Sequence, residues 1–101
     1  MVIYEVTATV EPELTRRYAR YMIERHVPDV LATKCFEGAV FSRAGLGRYR
    51  VRYDALNREA VDRYVREHAH RLRQDLATHL PTGVELTCEV WTVIERWWGD
   101  A

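Results

Sequence analysis

The order in which two kinds of hydrophobic periodicity follow one another constrains the fold of this chain more than any other feature. Apolar residues alternate with polar ones over residues 2–10, the period of a strand with one buried face. Helical spacing follows, then two alternating segments, a second helical stretch and a last alternating segment. Two right-handed crossovers joined by a hairpin predict a ferredoxin-like α+β fold, β-α-β-β-α-β, with two helices on one face of a four-stranded antiparallel sheet in the order 4-1-3-2.

The third strand has the clearest alternation in the chain. Over residues 48–53 arginine alternates with tyrosine or valine, so one face is apolar and the other cationic. The preceding Gly45-Leu46-Gly47 suits a tight hairpin, which places the second strand over residues 35–43. The fourth strand is expected from Val84 to about Glu95. On the face away from the helices, acidic and basic side chains would then be neighbours and could pair across strands. The residues expected on that face are Glu5, Thr7, Thr9, Arg48, Arg50, Arg52, Glu85, Glu89 and Trp91.

Two amphipathic helices are predicted between these strands. The first is expected near residues 12–25, and Pro28 should end or kink it around Arg25 and His26. The second is capped by Asn57 and ends before Pro81. Its inward stripe is expected to hold Val61, Tyr64, Val65, His68, Leu72 and Leu76.

Composition narrows the class of protein. The 101 residues fit one domain, 1–101, and 15 basic residues balance 15 acidic ones, so no global field favours nucleic acid or an anionic membrane. The sequence has no signal-peptide pattern and no apolar stretch long enough to span a membrane, which makes the cytoplasm the expected compartment. Cys35 and Cys88 are too few for a disulfide framework or a zinc site, and both lie in apolar runs that predict packing.

Several segments resemble an uncharacterised bacterial family of small proteins, a domain of unknown function. They are residues 18–22 with 26–33, residues 49–53, and Tyr64 with residues 68–73. The resemblance implies a ferredoxin-like dimeric α/β barrel, in a superfamily that also holds antibiotic-biosynthesis monooxygenases and muconolactone isomerases. It implies no particular activity, because one fold hosts many functions.

The C-terminal end carries more large apolar surface than an edge strand can bury. It contains Trp91, Val93, Ile94, Trp97 and Trp98. Such patches are typical of interfaces, and a closed homodimer is the commonest assembly. A homodimer is therefore the expected partner arrangement.

Histidines are the candidates for acid–base chemistry. His26 is expected at the end of the first helix, where the helix dipole favours its charged form, and His68 on the inward stripe of the second. Each is a candidate catalytic residue at a pocket, and each has a structural alternative as a satisfied histidine. His70 and His79 are expected at the surface. No close pair of ligands shares one helix face, so no metal site is predicted.

Tyrosines are the candidates for ligand binding. Tyr18, Tyr21, Tyr49 and Tyr64, with Tyr4 and Tyr53, recur on inward positions and can line a cavity for a flat organic molecule. Ordinary core packing explains the same spacing.

Three functions remain open from the sequence. The first is a site that binds or transforms a small organic molecule between sheet and helices; whether it is an enzyme stays open. The second is a non-catalytic dimerisation or regulatory module. RNA binding is disfavoured, because it requires aromatic residues on the open face of the sheet, whereas the third strand places arginines there. No flavin, haem or nicotinamide fingerprint is present, so no cofactor is expected.

Overall fold

The computed structural model describes residues 1–100 and has the predicted topology. Four antiparallel strands form one sheet in the order β2-β3-β1-β4, which is the expected 4-1-3-2 arrangement. The strands are β1 (Val2–Val10), β2 (Gly38–Arg43), β3 (Arg48–Ala55) and β4 (Val84–Thr92). β1 is central, and β2 and β4 are the edges. The ferredoxin-like α+β prediction is confirmed.

The strand alternation places the core on one face of the sheet. Tyr4 lies opposite Tyr53 on β3, and Val6 lies opposite Val51 on β3 and Cys88 on β4. On β3 every second residue is buried, as predicted, and the three arginines between them are exposed. The core therefore lies between this face and the helices.

The hairpin between β2 and β3 depends on a glycine. Gly47 has a φ of 81°, and a Cβ built there would lie 2.6 Å from the carbonyl oxygen of Val10. The backbone carbonyl of Gly47 accepts a 2.7 Å hydrogen bond from the amide of Val10. Both the positive φ and the close approach to β1 require a residue without a side chain.

The first helical segment is longer than predicted. It begins with a 3₁₀ turn at Pro12–Leu14 and continues through α1 (Thr15–Tyr21), a π-helical turn at Met22–His26 and α2 (Val27–Ala32). The helix does not end near His26, and the irregularity predicted before Pro28 takes the form of the π-helical turn at Met22–His26. In a regular α-helix the ring of Pro28 would clash with the carbonyl four residues earlier, that of Glu24, and the wider turn contains that residue.

The second helical segment also contains a π-helical turn. It comprises α3 (Arg58–Tyr64), the turn at Val65–Ala69 and α4 (His70–His79). The predicted cap is confirmed, since the Asn57 side chain accepts a 2.9 Å hydrogen bond from the amide of Ala60.

The second π turn changes which side chains of this segment are buried. The buried stripe passes from Tyr64 to Ala69, a spacing of five, and then to Leu72 and Leu76. Val65 is 52% exposed, so its predicted inward position was wrong, and His68 is half-buried and not part of the core. A regular helix would bury His68 four residues after Tyr64, and the wider turn buries alanine instead, which avoids desolvating an imidazole.

Two edge strands are shorter than expected. β2 begins at Gly38 because Cys35 and Phe36 are buried in the preceding loop, and β4 ends at Thr92.

On the open face, Arg50 lies 3.9 Å from Glu5, an ion pair between neighbouring strands of the kind predicted. Among residues 1–100, no helix is long and apolar enough to cross a membrane.

Candidate functional site

A small cavity lies between the sheet and both helical segments. Its volume is about 20 Å³, which is enough for one water molecule. Apolar and aromatic side chains form most of the wall, with a few polar groups among them. The lining residues are Tyr4, Val6, Tyr18, Met22, His26, Tyr53, Tyr64, Arg73, Leu76 and Leu86.

Three tyrosine hydroxyls in this wall have no hydrogen-bond partner within the described residues. They belong to Tyr18, Tyr53 and Tyr64, whose side chains are otherwise buried. No fully enclosed side-chain oxygen or nitrogen of residues 1–100 lacks a partner, so each of these three hydroxyls retains some access to water. Burial raises the pKa of all three, and they remain neutral donors. Because a buried hydroxyl needs a partner, the cavity favours a polar molecule or a ligand's polar atom.

Both π-helical turns border this cavity. Met22 and His26 are the first and last residues of one turn, and Tyr64 directly precedes the other. Isolated π turns occur frequently at functional sites, because the extra residue re-aims neighbouring side chains. The two helices therefore depart from regular geometry where they face the cavity.

His26 lines the cavity from the middle of a continuous helical segment. The expected placement at a helix C-terminus, with a dipole favouring the charged ring, was wrong because the helix continues to Ala32. Burial lowers the pKa of His26, although Asp29 and Asp75 act in the opposite direction. A ring that is largely neutral at pH 7 can accept a proton or a hydrogen bond, as a general base requires.

A polar cluster occupies the end of the cavity next to β4. Arg73 Nη2 donates to the Tyr4 hydroxyl at 2.7 Å and to the Cys88 sulfur at 2.9 Å. The Tyr4 hydroxyl in turn lies 3.6 Å from that sulfur. Burial, followed by the effect of Cys88, raises the pKa of Tyr4 to about 12, against the opposing effect of Arg73. Tyr4 therefore stays protonated and holds the arginine in position.

The two cysteines differ in their surroundings. Cys35 is buried, in agreement with the packing prediction. Cys88 is exposed on the edge strand, so the packing prediction for it was wrong. It faces the helix side of the sheet, but no strand covers the outer side of β4.

Of the side chains predicted for a site, five line the cavity: Tyr4, Tyr18, Tyr53, Tyr64 and His26. His68 does not, because its Nδ1 lies 3.0 Å from Arg71 Nη2 in an exposed contact. Tyr49 is buried beside Tyr18, with 5.1 Å between ring centroids, and its hydroxyl donates to the Thr15 carbonyl. His70 is exposed, and His79 is half-buried.

Tyr21, the remaining candidate, belongs to a separate network that joins the two helical segments. Its hydroxyl donates to Asp75, which also accepts hydrogen bonds from Arg25 Nε at 2.7 Å and Arg25 Nη2 at 2.8 Å. The ring of His79 stacks near Tyr21 with 4.9 Å between centroids. Hydrogen bonds from Arg25 and then from Tyr21 lower the pKa of Asp75 to about 2.

This network predicts a loss of stability in acid. The folded-state pKa of Asp75, about 2, lies below its ordinary value of 3.8. Its contribution is therefore complete above pH 4 and decreases as the pH falls toward 2. Urea unfolding at pH 5 and pH 2.5 should show a larger loss in the wild type than in Asp75→Asn, which has no carboxylate to protonate. Asp62→Asn, at an exposed pair with Arg58, is the matched control and should behave like the wild type. Equal losses in all three proteins would contradict the role of Asp75.

Arg73 is a polar residue of the cavity wall that the sequence did not indicate. It lies four residues after Ala69 and three before Leu76, at the border of the buried stripe, and it remains exposed, so helical spacing carries no signal for it. Within residues 1–100, no group of three or more His, Cys, Asp or Glu side chains is placed to hold a metal ion.

The fold and the cavity define a ferredoxin-like α+β protein with a small, mostly apolar cavity between sheet and helices that contains a few polar groups. The chain belongs to the family described as "Domain of unknown function (DUF4286)", which matches residues 1–89. A comparison with curated protein sequences found no match.

Solved structures with the same fold have low sequence identity to this chain. A candidate antibiotic biosynthesis monooxygenase from Deinococcus radiodurans has 17% identity and a TM-score of 0.69, with 100% of each chain covered. A dimeric ferredoxin-like protein from an uncultured marine organism has 9% identity and a TM-score of 0.72, covering 98% of this chain and 100% of that one. An MhuD variant with two manganese protoporphyrin IX molecules bound per active site has 20% identity and a TM-score of 0.52, covering 98% and 100%. These likenesses show the fold.

Proposed function

We propose that this protein binds a small organic molecule in the cavity between the sheet and the helices. The observation that carries the proposal is the set of three tyrosine hydroxyls without protein partners around one cavity. Aromatic rings supply apolar contact there, and the hydroxyls supply the few polar groups that orient a ligand. The π turns on both sides support the same assignment.

The cavity must open for anything larger than water to enter. Its free space is about 20 Å³, whereas a binding pocket for a drug-sized molecule holds roughly 300 Å³ or more. The edge at β4 is the route that we propose, because this strand has a neighbour on one side only and the long Arg73 side chain covers the cavity there. Movement of that side chain and of Leu86 enlarges the space without breaking the central strands.

Transformation of the ligand is a second step that the site can support through His26. A neutral imidazole in the wall can remove a proton from a bound molecule. The fold likeness to a candidate monooxygenase and to a porphyrin-binding protein agrees with a ligand in this architecture. We propose binding as the function and His26 as the group on which any proton transfer would depend.

Tyr64→Phe tests the proposal against a matched control. A fragment set of phenols, aromatic amides and aromatic acids is screened by ligand-observed NMR, and the best fragment is then titrated by calorimetry. Tyr64→Phe removes a cavity hydroxyl and should weaken binding about five- to tenfold, the effect of one hydrogen bond. Tyr49→Phe removes a buried hydroxyl outside the cavity and should leave affinity unchanged. Binding that is equal in both variants, or absent from the wild type, would contradict the proposal.

The non-catalytic dimerisation module is the alternative, and the small volume of the cavity favours it. In that case the cavity holds one structural water, and no fragment of the set binds. The same screen therefore separates the two functions.

A homodimer is part of the proposal in either case. Four large apolar side chains near the C-terminus are largely exposed: Trp91 by 50%, Ile94 by 95%, Trp97 by 83% and Trp98 by 80%. They border clefts of about 480 and 530 Å³ over the open face of the sheet. A second copy of the chain would bury this surface.

We place the protein in the cytoplasm, with both cysteines free. We propose no nucleic-acid partner, because acidic and basic side chains are mixed on the open face of the sheet.

A further inference from the structure

We propose that the ligand is an organic anion, whose carboxylate or similar group is recognised by Arg73 at the β4 end of the cavity. The inference rests on the proposed function and assigns the chemical class of the ligand.

Arg73 is a cation without a counterion. Within residues 1–100, four of the fourteen arginines form an ion pair with a carboxylate, and Arg73, an exposed residue whose guanidinium reaches the cavity wall, is among the ten that form none. The nearby carboxylate of Asp75 cannot neutralise it, because Asp75 is held by Arg25 and Tyr21. The positive charge at the cavity is therefore uncompensated by protein groups.

Hydrogen bonds hold the guanidinium of Arg73 in place, and some of its N–H donors have no partner in the protein. All of its hydrogen bonds within the described residues come from Nη2, which contacts Tyr4 and Cys88. The N–H groups of Nε and Nη1 remain available, and each can donate a charge-assisted hydrogen bond to an oxygen of an anion.

The distribution of polarity inside the cavity agrees with such a ligand. Tyrosine rings and aliphatic side chains surround the space, and the single cation stands at one end. A small aromatic acid would place its ring against Tyr53 and Tyr64 and its carboxylate on Arg73. A neutral molecule of the same shape would leave the guanidinium without a charged partner.

Benzoate and benzamide are the probes that test this inference, because they share a ring and differ in charge. Both are titrated by calorimetry into the wild type, Arg73→Gln and Arg71→Gln. The wild type should bind benzoate more tightly than benzamide, and Arg73→Gln should lower the benzoate affinity about ten- to a hundredfold with little effect on benzamide. Arg71→Gln, which changes an exposed arginine beside His68, should bind like the wild type. Arg73→Lys keeps the charge but places its donors on a single nitrogen, and its benzoate affinity should fall between those of the wild type and Arg73→Gln.

Three results would overturn the inference, and they differ in what they say of the proposed function. If both probes bind the wild type with equal affinity, or if Arg73→Gln binds benzoate with the affinity of the wild type, the site does not distinguish ligands by their charge. The proposed small-molecule function then stands. If neither probe binds the wild type, the inference and the proposed function fail together. An amide NMR spectrum of Arg73→Gln with the dispersion of the wild type shows that a loss of binding is not a loss of folding.

Discussion

Replacing Tyr18 by alanine is expected to lower the free energy of unfolding by about 3–5 kcal/mol, the usual cost of truncating a buried aromatic side chain. Tyr18 is 1% exposed, and its ring lies 5.1 Å from that of Tyr49 and 6.3 Å from that of Phe41. Its loss leaves a void between the first helix and the sheet that the packed neighbours fill only in part. Urea unfolding at neutral pH measures the change.

The conservative variant separates packing from the cavity. In Tyr18→Phe the ring remains and only the hydroxyl is lost. Because that hydroxyl has no protein partner, stability should change by less than about 0.5 kcal/mol, while ligand affinity falls. A Tyr18→Phe variant as unstable as Tyr18→Ala would show that the hydroxyl is bound within the protein, and the cavity would lose one of its three polar groups.

Replacing Trp97 and Trp98 together by serine is expected to convert the proposed homodimer into a monomer. The two indoles are 83% and 80% exposed in the single chain, so the substitutions remove little internal packing. Tryptophans at interfaces commonly contribute 2 kcal/mol or more each, and the loss of two predicts a fall of about a thousandfold in the association constant. Sedimentation velocity at micromolar concentration measures the change.

Ile23→Ser provides the control for this prediction. Ile23 is 63% exposed on the helical side of the molecule, away from the open face of the sheet. This variant should remain as dimeric as the wild type. A wild-type protein that sediments as a monomer, or a dimer that survives the loss of both tryptophans, would refute the proposed interface.

The sheet could be predicted in detail because the alternation of apolar and polar residues along a strand shows which of its faces is buried. On β3 the period of two shows the face of nearly every residue, and the Gly45-Leu46-Gly47 turn predicts that β2 and β3 are neighbours. On β1 the alternation is less regular, because Ile3 is apolar and buried on the open face. The pairing of β1 with β3, and with it the charge pairing between Glu5 and Arg50, follows from the two right-handed crossovers.

The helices could not be predicted at the same level, because a π turn changes the register within an otherwise helical sequence. A spacing of 3.6 residues points His68 inward and gives no place to Arg73 in the core. The turn at Val65–Ala69 buries Ala69 in place of His68, which contacts Arg71 instead, and the exposed Arg73 reaches the Tyr4 hydroxyl through its long side chain. In the first segment, Pro28 signals an irregularity but does not tell whether the helix ends or widens.

The candidate site was predicted in part for the same reason. Tyr18, Tyr64 and His26 were identified from their spacing, and the structure brings them to one cavity. Arg73 and Cys88 meet only through the pairing of β4 with β1 and the shifted second helix, two long-range features that local patterns do not contain. Tyr21 and Tyr49 have the same inward spacing but bond to Asp75 and to the Thr15 carbonyl.

The methyl NMR spectrum of the two methionines tests the central claim most directly. Met22 is 2% exposed and lines the cavity, whereas Met1 is 49% exposed and does not. In protein labelled with ¹³C at the methionine methyl groups, addition of benzoate or benzamide should shift the Met22 signal in a saturable manner and leave that of Met1 in place. A Met22 signal that stays fixed at saturating concentrations of both probes would show that the cavity admits no ligand of this kind, and the protein would then be a dimerisation module with a water in its core.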